Sequence, residues 1–509
     1  MIEIIGNTPK TLNDVLNLED EGQKINYLKK GRRSNIPDVQ RLRKCWDPTL
    51  HDINDKSKYK DIHVLKNTAY DQFDDVSGKK VHIPPEYETK EPNRIALPIE
   101  QDQVNIHTAF TVGTEPKLDC NPFDDKESTV FNVLKAIFKD NKLKYQNRQI
   151  VRSWLSETDI AEYWYLEEDD NFWKKQWRKD HTVYGDKKPK YKLKSQIWSP
   201  FKGDKLYPFY DDSGKMVAFS REYDRTDLDG NKHTCFMTLT DSNIFVWDDV
   251  DGVWQMDKKR SGKHLFGKIP VLYAGREDAL CDKITSERRR VEKCLSEYAD
   301  CIDYHFFPIL MLFGELDDKG VVSTDMRNRI LKMTGEDAKA AYLTWNQSAD
   351  PVKQEVETHL NEAYALTNTP RISFDQIKGT NALSGVAFRY VFMAIHGAVE
   401  NHAEVLGPFF QRRVNFLLSA IGSVDSYLEE AAQSTDVETE IVPYMIDSVD
   451  DKVSTAVKAV SGGVWSTEHG VAYCSNYGET KDEVEQIMED QQNKAAQSSK
   501  DDQKKDDQK

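Results

Sequence analysis

The stretch from Thr369 to Val424, TPRISFDQIKGTNALSGVAFRYVFMAIHGAVENHAEVLGPFFQRRVNFLLSAIGSV, constrains this chain more than any other. Pro370 leads a strand-like step, and Lys378-Gly379-Thr380-Asn381 form a small polar loop. From about Ser384 apolar residues recur at helical spacing until Gly407-Pro408, where the rules for helix interiors predict a break. Gly379, Gly385 and Asn381 free the loop backbone. From Ser384 to Leu406 a helix would span roughly 35 Å at about 1.5 Å per residue. A helix, a flexible loop and a long kinked helix in that order suit a chain that sets one loop against a moving polymer.

At 509 residues the chain is too long for one ordinary core and predicts two to four domains. Its net charge of −16 argues against a base-reading DNA binder, which needs a basic face, but not against a protein that surrounds DNA without gripping it. The seven cysteines contain no CxxC pair, which argues against a zinc ribbon. Their odd number and wide spacing fit a reducing compartment. Cys294 and Cys301 share a helix face, and Cys281 points elsewhere; all three read as packing residues. The N-terminus lacks a basic start followed by an apolar run, and the most apolar short run, Phe306 to Phe313, is far below spanning length. The expectation is a soluble intracellular product with no membrane segment.

Residues 1–90 are charged, with short helices expected at Leu12–Leu28 and Pro37–Trp46 and much of the rest on a surface as an arm. Arg94 to Ala109 opens strand-like and turns amphipathic. Helical periodicity continues from Ser128 to Glu168. Residues 191–260 alternate Val, Phe, Tyr, Trp and Thr between turn signals at Ser213-Gly214, Asp229-Gly230 and Asp251-Gly252, which predicts an antiparallel meander. The EF-hand pattern fails there, because Arg225 and Trp247 fall at the first ligand positions. Gly262 to Lys268 has P-loop spacing, but Ile269 replaces the Ser or Thr that holds magnesium, and Pro270-Val271 continue as strand rather than helix. No HExxH, GxSxG or GxGxxG is present, and no carboxylate stands in a spacing that singles it out. Catalytic, metal and cofactor sites are therefore not expected.

Glu277 to Phe307 predicts a long helix with one apolar stripe of Ile284, Val291, Leu295, Tyr298 and Ile302. Glu287, Arg288, Arg289, Arg290 and Glu292 lie on the opposite face. Ile309–Phe313 reads as a strand, and Val321–Trp345 as a helix with a second strand at Ala341–Trp345. Asp350-Pro351 start another helix that runs to about Leu366. Glu438–Met445 reads as a strand. Asp450–Val460 and Glu479–Ala496 read as helices joined through Gly462-Gly463, ahead of a low-complexity end. Residues 174–194 hold nine Lys or Arg against two Asp with aromatics nearby, and read as a solvated edge in preference to a nucleic-acid patch.

Four segments in this order resemble the portal proteins of tailed double-stranded-DNA bacteriophages, in the branch of siphophages with long tails. IPVLYA at 269–274 resembles the strand before the first stem helix. SERRRVEKCLSEYADCIDYHFFPILMLFG at 286–314 resembles that helix and its exit into the clip. KGTNALSGVAFRYVFMAI at 378–395 resembles the tunnel loop and the start of the tunnel helix, and SGGVWSTEHGVAYCSNYGETKDEVEQIMED at 461–490 the crown. The resemblance implies an α+β, mainly helical fold with wing, stem, clip and crown, assembled into a ring that is usually dodecameric. Its boundaries would be an N-terminal arm at 1–90, wing 91–276, stem helices 277–307 and 350–371, and clip 308–349. The tunnel loop would be 372–384, followed by the tunnel helix and return to the wing at 385–444, crown 445–490 and a disordered tail 491–509.

The ring would sit at one capsid vertex of the virion, after assembly in the host cytoplasm, and conduct double-stranded DNA without reading its sequence. Its implied partners are the terminase large subunit, the head-completion adaptor, and the major capsid and scaffolding proteins. The residues carried over are Asp375, Gln376, Lys378, Gly379, Thr380, Asn381 and Ser384 in the tunnel loop, Gly407 and Pro408 as helix hinge, and Glu315, Asp317, Asp318, Lys319, Arg327 and Arg329 for partner docking at the clip. A net acidic lining would repel phosphates, and a few symmetry-repeated lysines would give weak, salt-dependent contacts. The alternatives are an enzyme, such as a nuclease or nucleotide-driven motor, and a capsid-assembly or scaffold-associated protein without a channel.

Overall fold

The computed structural model describes residues 11–67, 69–73, 80–169, 171–173, 189–226, 230–305, 309–316, 333–343, 350–371, 392–444 and 449–474. The chain divides into two compact units, residues 1–371 with 397–443 and residues 372–396 with 444–509.

Three short helices open the first unit: α1 (Leu12–Leu16), α2 (Glu21–Lys30) and α3 (Val39–Trp46). Thr11 caps α1 in a reciprocal box with Asp14, and Asp20 and Asp38 cap α2 and α3. Their apolar faces are core. Val15, Ile25 and Leu28 pack with Tyr207, Phe236 and Trp247, and Leu42 and Cys45 with Ala279 and Cys281. Two antiparallel ribbons follow, β1 (Ile62–Asn67) on β4 (Glu86–Lys90) and β2 (Tyr70–Phe73) on β3 (Lys80–Ile83).

The strand-like start at Arg94 joins no sheet. Asn93, Ile95 and Leu97 instead donate their backbone N–H groups to Asp300, Ser296 and Glu292, three side chains at four-residue spacing on one later helix. The chain then enters α4 (Ile99–Val112), β5 (Lys117–Asp119), α5 (Asp125–Asp140) and α6 (Leu143–Glu157). Helix α6 ends at Thr158, whose φ of 70° takes it out of the helical region. Residues 159–168 are therefore a strand, β6 (Asp159–Glu168), and not the helix continuation that the periodicity predicts. Its aromatic, β-branched composition suits a pleated surface better than a helix.

Strand β6 is central in a three-stranded sheet, between β7 (Tyr191–Trp198) and β14 (Val271–Gly275). The expected meander is present as β8 (Lys205–Tyr210), β9 (Met216–Thr226), β10 (Lys232–Leu239), β11 (Asn243–Val250) and β12 (Val253–Met256), antiparallel throughout, with β13 (Gly262–Lys263) on β11. Its turns take the conformations their residues favour: Gly214 and Gly230 have φ of 84° and 88°, and Asp251-Gly252 have φ of 53° and 82°. The P-loop-like segment enters β13 and then strand β14, so no helix N-terminus follows it.

A single 3-10 turn (Leu280–Lys283) precedes α7 (Thr285–His305), which therefore starts later than the sequence predicts. Strands β15 (Ile309–Leu316) and β16 (Met333–Leu343) pair antiparallel; β16 is longer than the expected second strand, and the helix expected before it falls outside the described residues. Helix α8 (Asp350–Leu366) begins at Asp350-Pro351, as read. Helix α9 (Met393–Val424) runs through Gly407-Pro408 unbroken, correcting the expected interruption. From Leu406 it packs with α5, α6 and the three-stranded sheet in the main core. After α10 (Glu429–Ser434), β17 (Glu438–Glu440) pairs with β5.

In the second unit α11 (Val449–Ser461) and α12 (Thr467–Cys474) turn at Gly462-Gly463, where Gly463 has φ of 71°. The sequence reading missed α12. The helix expected at 479–496 lies outside the described residues, as does most of the basic 174–194 stretch.

Arg413 on α9 lies buried in the main core. Its Nε donates to Glu162 on β6 (2.7 Å) and its Nη1 to Asn147 on α6 (2.7 Å). Arg413→Ala is expected to cost about 3–5 kcal/mol in urea denaturation, because it strands a buried carboxylate. The paired change Glu162→Leu with Arg413→Met is expected to return most of that loss. An Arg413→Ala cost below about 1 kcal/mol would mean the pair holds nothing together.

Candidate functional site

The α7–α8 pair, the β15–β16 ribbon between them in sequence, and α9 frame the region where the sequence places function. Helices α7 and α8 run antiparallel, since Arg290 bonds Glu355 (2.6 Å) while the earlier Glu287 meets the later His359. The apolar stripe of α7 is covered at its start, where Ile284 and Val291 are fully buried, and uncovered toward its end, where Ile302 is 41% exposed.

The charged face of α7 is not uniformly solvated. Arg288 and Glu292 are buried. Arg288 pairs with Glu100 on α4 through Nε, and with Glu292 through Nη1 (2.8 Å). Glu292 also accepts from the Leu97 N–H (2.9 Å) and meets Nδ1 of His51 (2.6 Å), whose Nε2 lies 3.2 Å from the Cys45 carbonyl. Burial pushes Glu100 up to about 7, against the opposing pull of Arg288. Arg289 and Arg290 do behave as surface residues, pairing with Asp52 (2.8 Å) and Glu355. Sequence reasoning missed this network because charges at i and i+4 read equally as a solvated pair.

Glu315 lies on β15 opposite Thr334, after an irregularity at Phe313. Asp317, Asp318, Lys319, Arg327 and Arg329, and all the loop positions (Asp375, Gln376, Lys378, Gly379, Thr380, Asn381 and Ser384), lie outside the described residues. Gly407 and Pro408 sit in the interior of α9. Apart from its chain neighbours and its own helix backbone, a Cβ added at Gly407 would meet nothing within 4 Å, and Nε of Arg412 donates to the Pro408 carbonyl (3.1 Å).

Glu287, His359 and Glu362 bring one potential ligand atom each within 4.8 Å of one another. The first two already hydrogen-bond each other across α7 and α8, and Glu362 stands on the exposed side 3.8 Å from His359. An open cleft of about 1060 Å³ lies between α1, the β8–β9 and β10–β11 turns and α9. Lys268, the lysine of the P-loop-like segment, lines it and donates to the Asn415 carbonyl (3.3 Å). Among the described residues no helix is long and apolar enough to cross a membrane.

No curated protein matches the chain. Among solved structures, a chain of the virion of a native gene transfer agent particle aligns at 11% identity and a TM-score of 0.35, covering 74% of this chain and 89% of that one. A chain of the neck of the native particle, computed with C12 symmetry, aligns at 11% identity and a TM-score of 0.38, covering 75% and 91%. These likenesses are too loose to bear on the role of this chain. The sequence itself matches the family described as phage portal protein, SPP1 Gp6-like, from residue 39 to residue 497. With that match spanning most of its length, the chain belongs to the phage portal protein family, SPP1 Gp6-like.

Proposed function

We propose that the chain is one subunit of a closed ring, dodecameric in its usual form, at a single capsid vertex. Its central channel passes double-stranded DNA during packaging and ejection. The observation that carries this reading is the family match over residues 39–497. The order of elements supports it: antiparallel α7 and α8 form the stem, the ribbon β15–β16 between them belongs to the clip, and α9 carries the chain from the tunnel loop into the wing. The clip docks the terminase large subunit and then the head-completion adaptor, and the wing contacts the capsid and scaffolding proteins. The role is structural, with chemical work supplied by the separate motor.

The net charge of −16 fits a channel that releases DNA easily, since phosphate contacts limited to a few lysines stay weak and salt-dependent. Such passage needs no base readout. Lys378 is the only Lys or Arg between Arg371 and Arg389, and repeated around the ring it supplies that contact. Gly407-Pro408 is the hinge between channel and wing.

Negative-stain images of the purified protein under capsid-assembly conditions are expected to show rings with a central hole. Persistent monomers, or rings without a hole, would favour a capsid-assembly protein without a channel, and ATP hydrolysis by the purified chain would favour a motor. Lys378→Ala is expected to leave rings intact and to change DNA packaging or retention; packaging unchanged across a salt series would remove Lys378 from the channel.

Gly407→Ala is expected to change subunit stability by less than about 1 kcal/mol in denaturation, because the helix propensity that alanine adds is opposed by its Cβ meeting the Pro408 ring. If the hinge works, the same change lowers packaging. A folded Gly407→Ala subunit that packages normally would show that α9 need not bend there.

A further inference from the structure

Helix α4 meets both chain segments that bracket residues 372–391. Toward the end of α8, Nε2 of Gln103 donates to the Ala363 carbonyl (3.0 Å) and the Tyr364 hydroxyl to Asp102 (2.7 Å). Nε2 of His107 meets Oγ1 of Thr369 (2.9 Å), just past the end of α8. Toward α9, Nδ1 of His402 meets Oγ1 of Thr111 (3.3 Å). The two imidazoles face each other with ring centroids 5.2 Å apart, and Trp154 of α6 closes the pair edge-on to His402 at 5.5 Å. Both rings are buried.

The hydrogen-bond directions follow from the proton count. The Thr111 hydroxyl spends its proton on the His107 carbonyl (2.7 Å), so Nδ1 of His402 must be the donor to Thr111. The Thr367 hydroxyl spends its own on the carbonyls of Ala363 and Tyr364, both at 3.2 Å. Thr369 then donates to Thr367 (2.8 Å), and Nε2 of His107 donates to Thr369. One proton on each ring satisfies these bonds, and burial favours that neutral form. The second nitrogen of His107, Nδ1, is buried without a hydrogen-bond partner.

We propose that His107 and His402 form a neutral catch that fastens the end of α8 and the first packed turns of α9 to α4, and that protonating either ring opens it. A second proton on His107 would sit on Nδ1, where no acceptor waits. The charges acting on the rings among the described residues are Arg276, at the end of β14, and Lys283, before α7, both cations. Two imidazolium rings at this separation would also repel. Burial, opposed at His107 by the Thr367 backbone carbonyl and reinforced by these cations, pulls His107 down to about 4 and His402 to about 3. Because both lie below their ordinary value, the catch is closed above about pH 6.5 and weakens as pH falls from there toward 4. Its consequence for a DNA channel rests on the portal reading; the catch itself does not.

The test is hydrogen exchange on the full chain between pH 7 and pH 4, with each rate normalised to the unstructured rate at that pH. Protection in peptides covering 363–371 and 397–404 is expected to fall about tenfold or more relative to α5. The double variant His107→Gln with His402→Gln keeps the donors and cannot titrate, and is expected to lose that selective acid response while keeping protection at pH 7. Should the double variant not fold, His402→Gln alone is expected to shrink the acid response. Wild-type peptides whose protection is flat, or falls only in step with α5, would overturn the catch, as would a glutamine variant that keeps the full acid response. Since the readout uses the isolated chain, a failure to form rings leaves this result intact.

Discussion

Buried arginine–carboxylate joints hold together parts of this chain that are far apart in sequence. Arg32 donates to Asp159 (2.6 Å) and to the Leu206 carbonyl (2.6 Å), with the Tyr273 hydroxyl on the other carboxylate oxygen (2.9 Å). Arg288 joins Glu100 and Glu292, and Arg413 joins Glu162. Burial raises Asp159, Glu162 and Glu100 above their ordinary values, against the pull of the arginines. Such joints add little net stability over well-packed apolar residues, but an alternative packing that separates the partners leaves a charge stranded in the core. They fix which segments meet. The first sets the α2–α3 connection against the sheets, the second α7 against α4, and the third α9 against β6.

What was legible in the sequence followed from local chemistry. The meander turns were readable because left-handed backbone needs glycine or Asp-Gly, and Asp350-Pro351 was readable as a helix start. The errors fell where one pattern serves two structures. Ile160 continues the helical spacing of Ile150 and Trp154, yet belongs to a strand, and the residue that ends the helix is a threonine at positive φ, with no glycine to mark it. Arg288 and Glu292 look like surface charges because their partners, Glu100 and His51, come from elsewhere in the chain. Of the candidate site, the framing helices and ribbon were legible, but a loop and a docking surface carried over from a resemblance have no local pattern that specifies contacts.

Helix α9 shows magnitudes deciding between rules. A proline inside a helix costs roughly 3 kcal/mol. Around Pro408, however, Leu406, Phe409, Phe410, Val414 and Leu417 are all buried, and each such side chain contributes roughly 1.5–3 kcal/mol if the helix continues in register. Tertiary packing therefore outweighs the local penalty, and Arg412 adds a side-chain donor at the Pro408 carbonyl. A hinge at this place would bend a helix whose C-terminal half is anchored by its core and by Arg413.

The family match begins at residue 39, yet the fold depends on residues before it. Ile25 and Leu28 are fully buried against Tyr207, Phe236 and Trp247, and Glu21 accepts the indole N–H of Trp247 (2.6 Å). Lys29 pairs with Glu222 (2.5 Å) and lies over the Phe236 ring at 5.5 Å. Arg32 supplies one of the three buried joints. A meander that turned this face to water would expose an aromatic patch and leave Asp159 buried with only Tyr273 to satisfy it. The segment before residue 39 is therefore structural, a lid on the large sheet whose sequence had only to supply two capped helices, three apolar residues and one arginine. Constraints that sparse are met by many sequences, which fits a family match that starts only at residue 39.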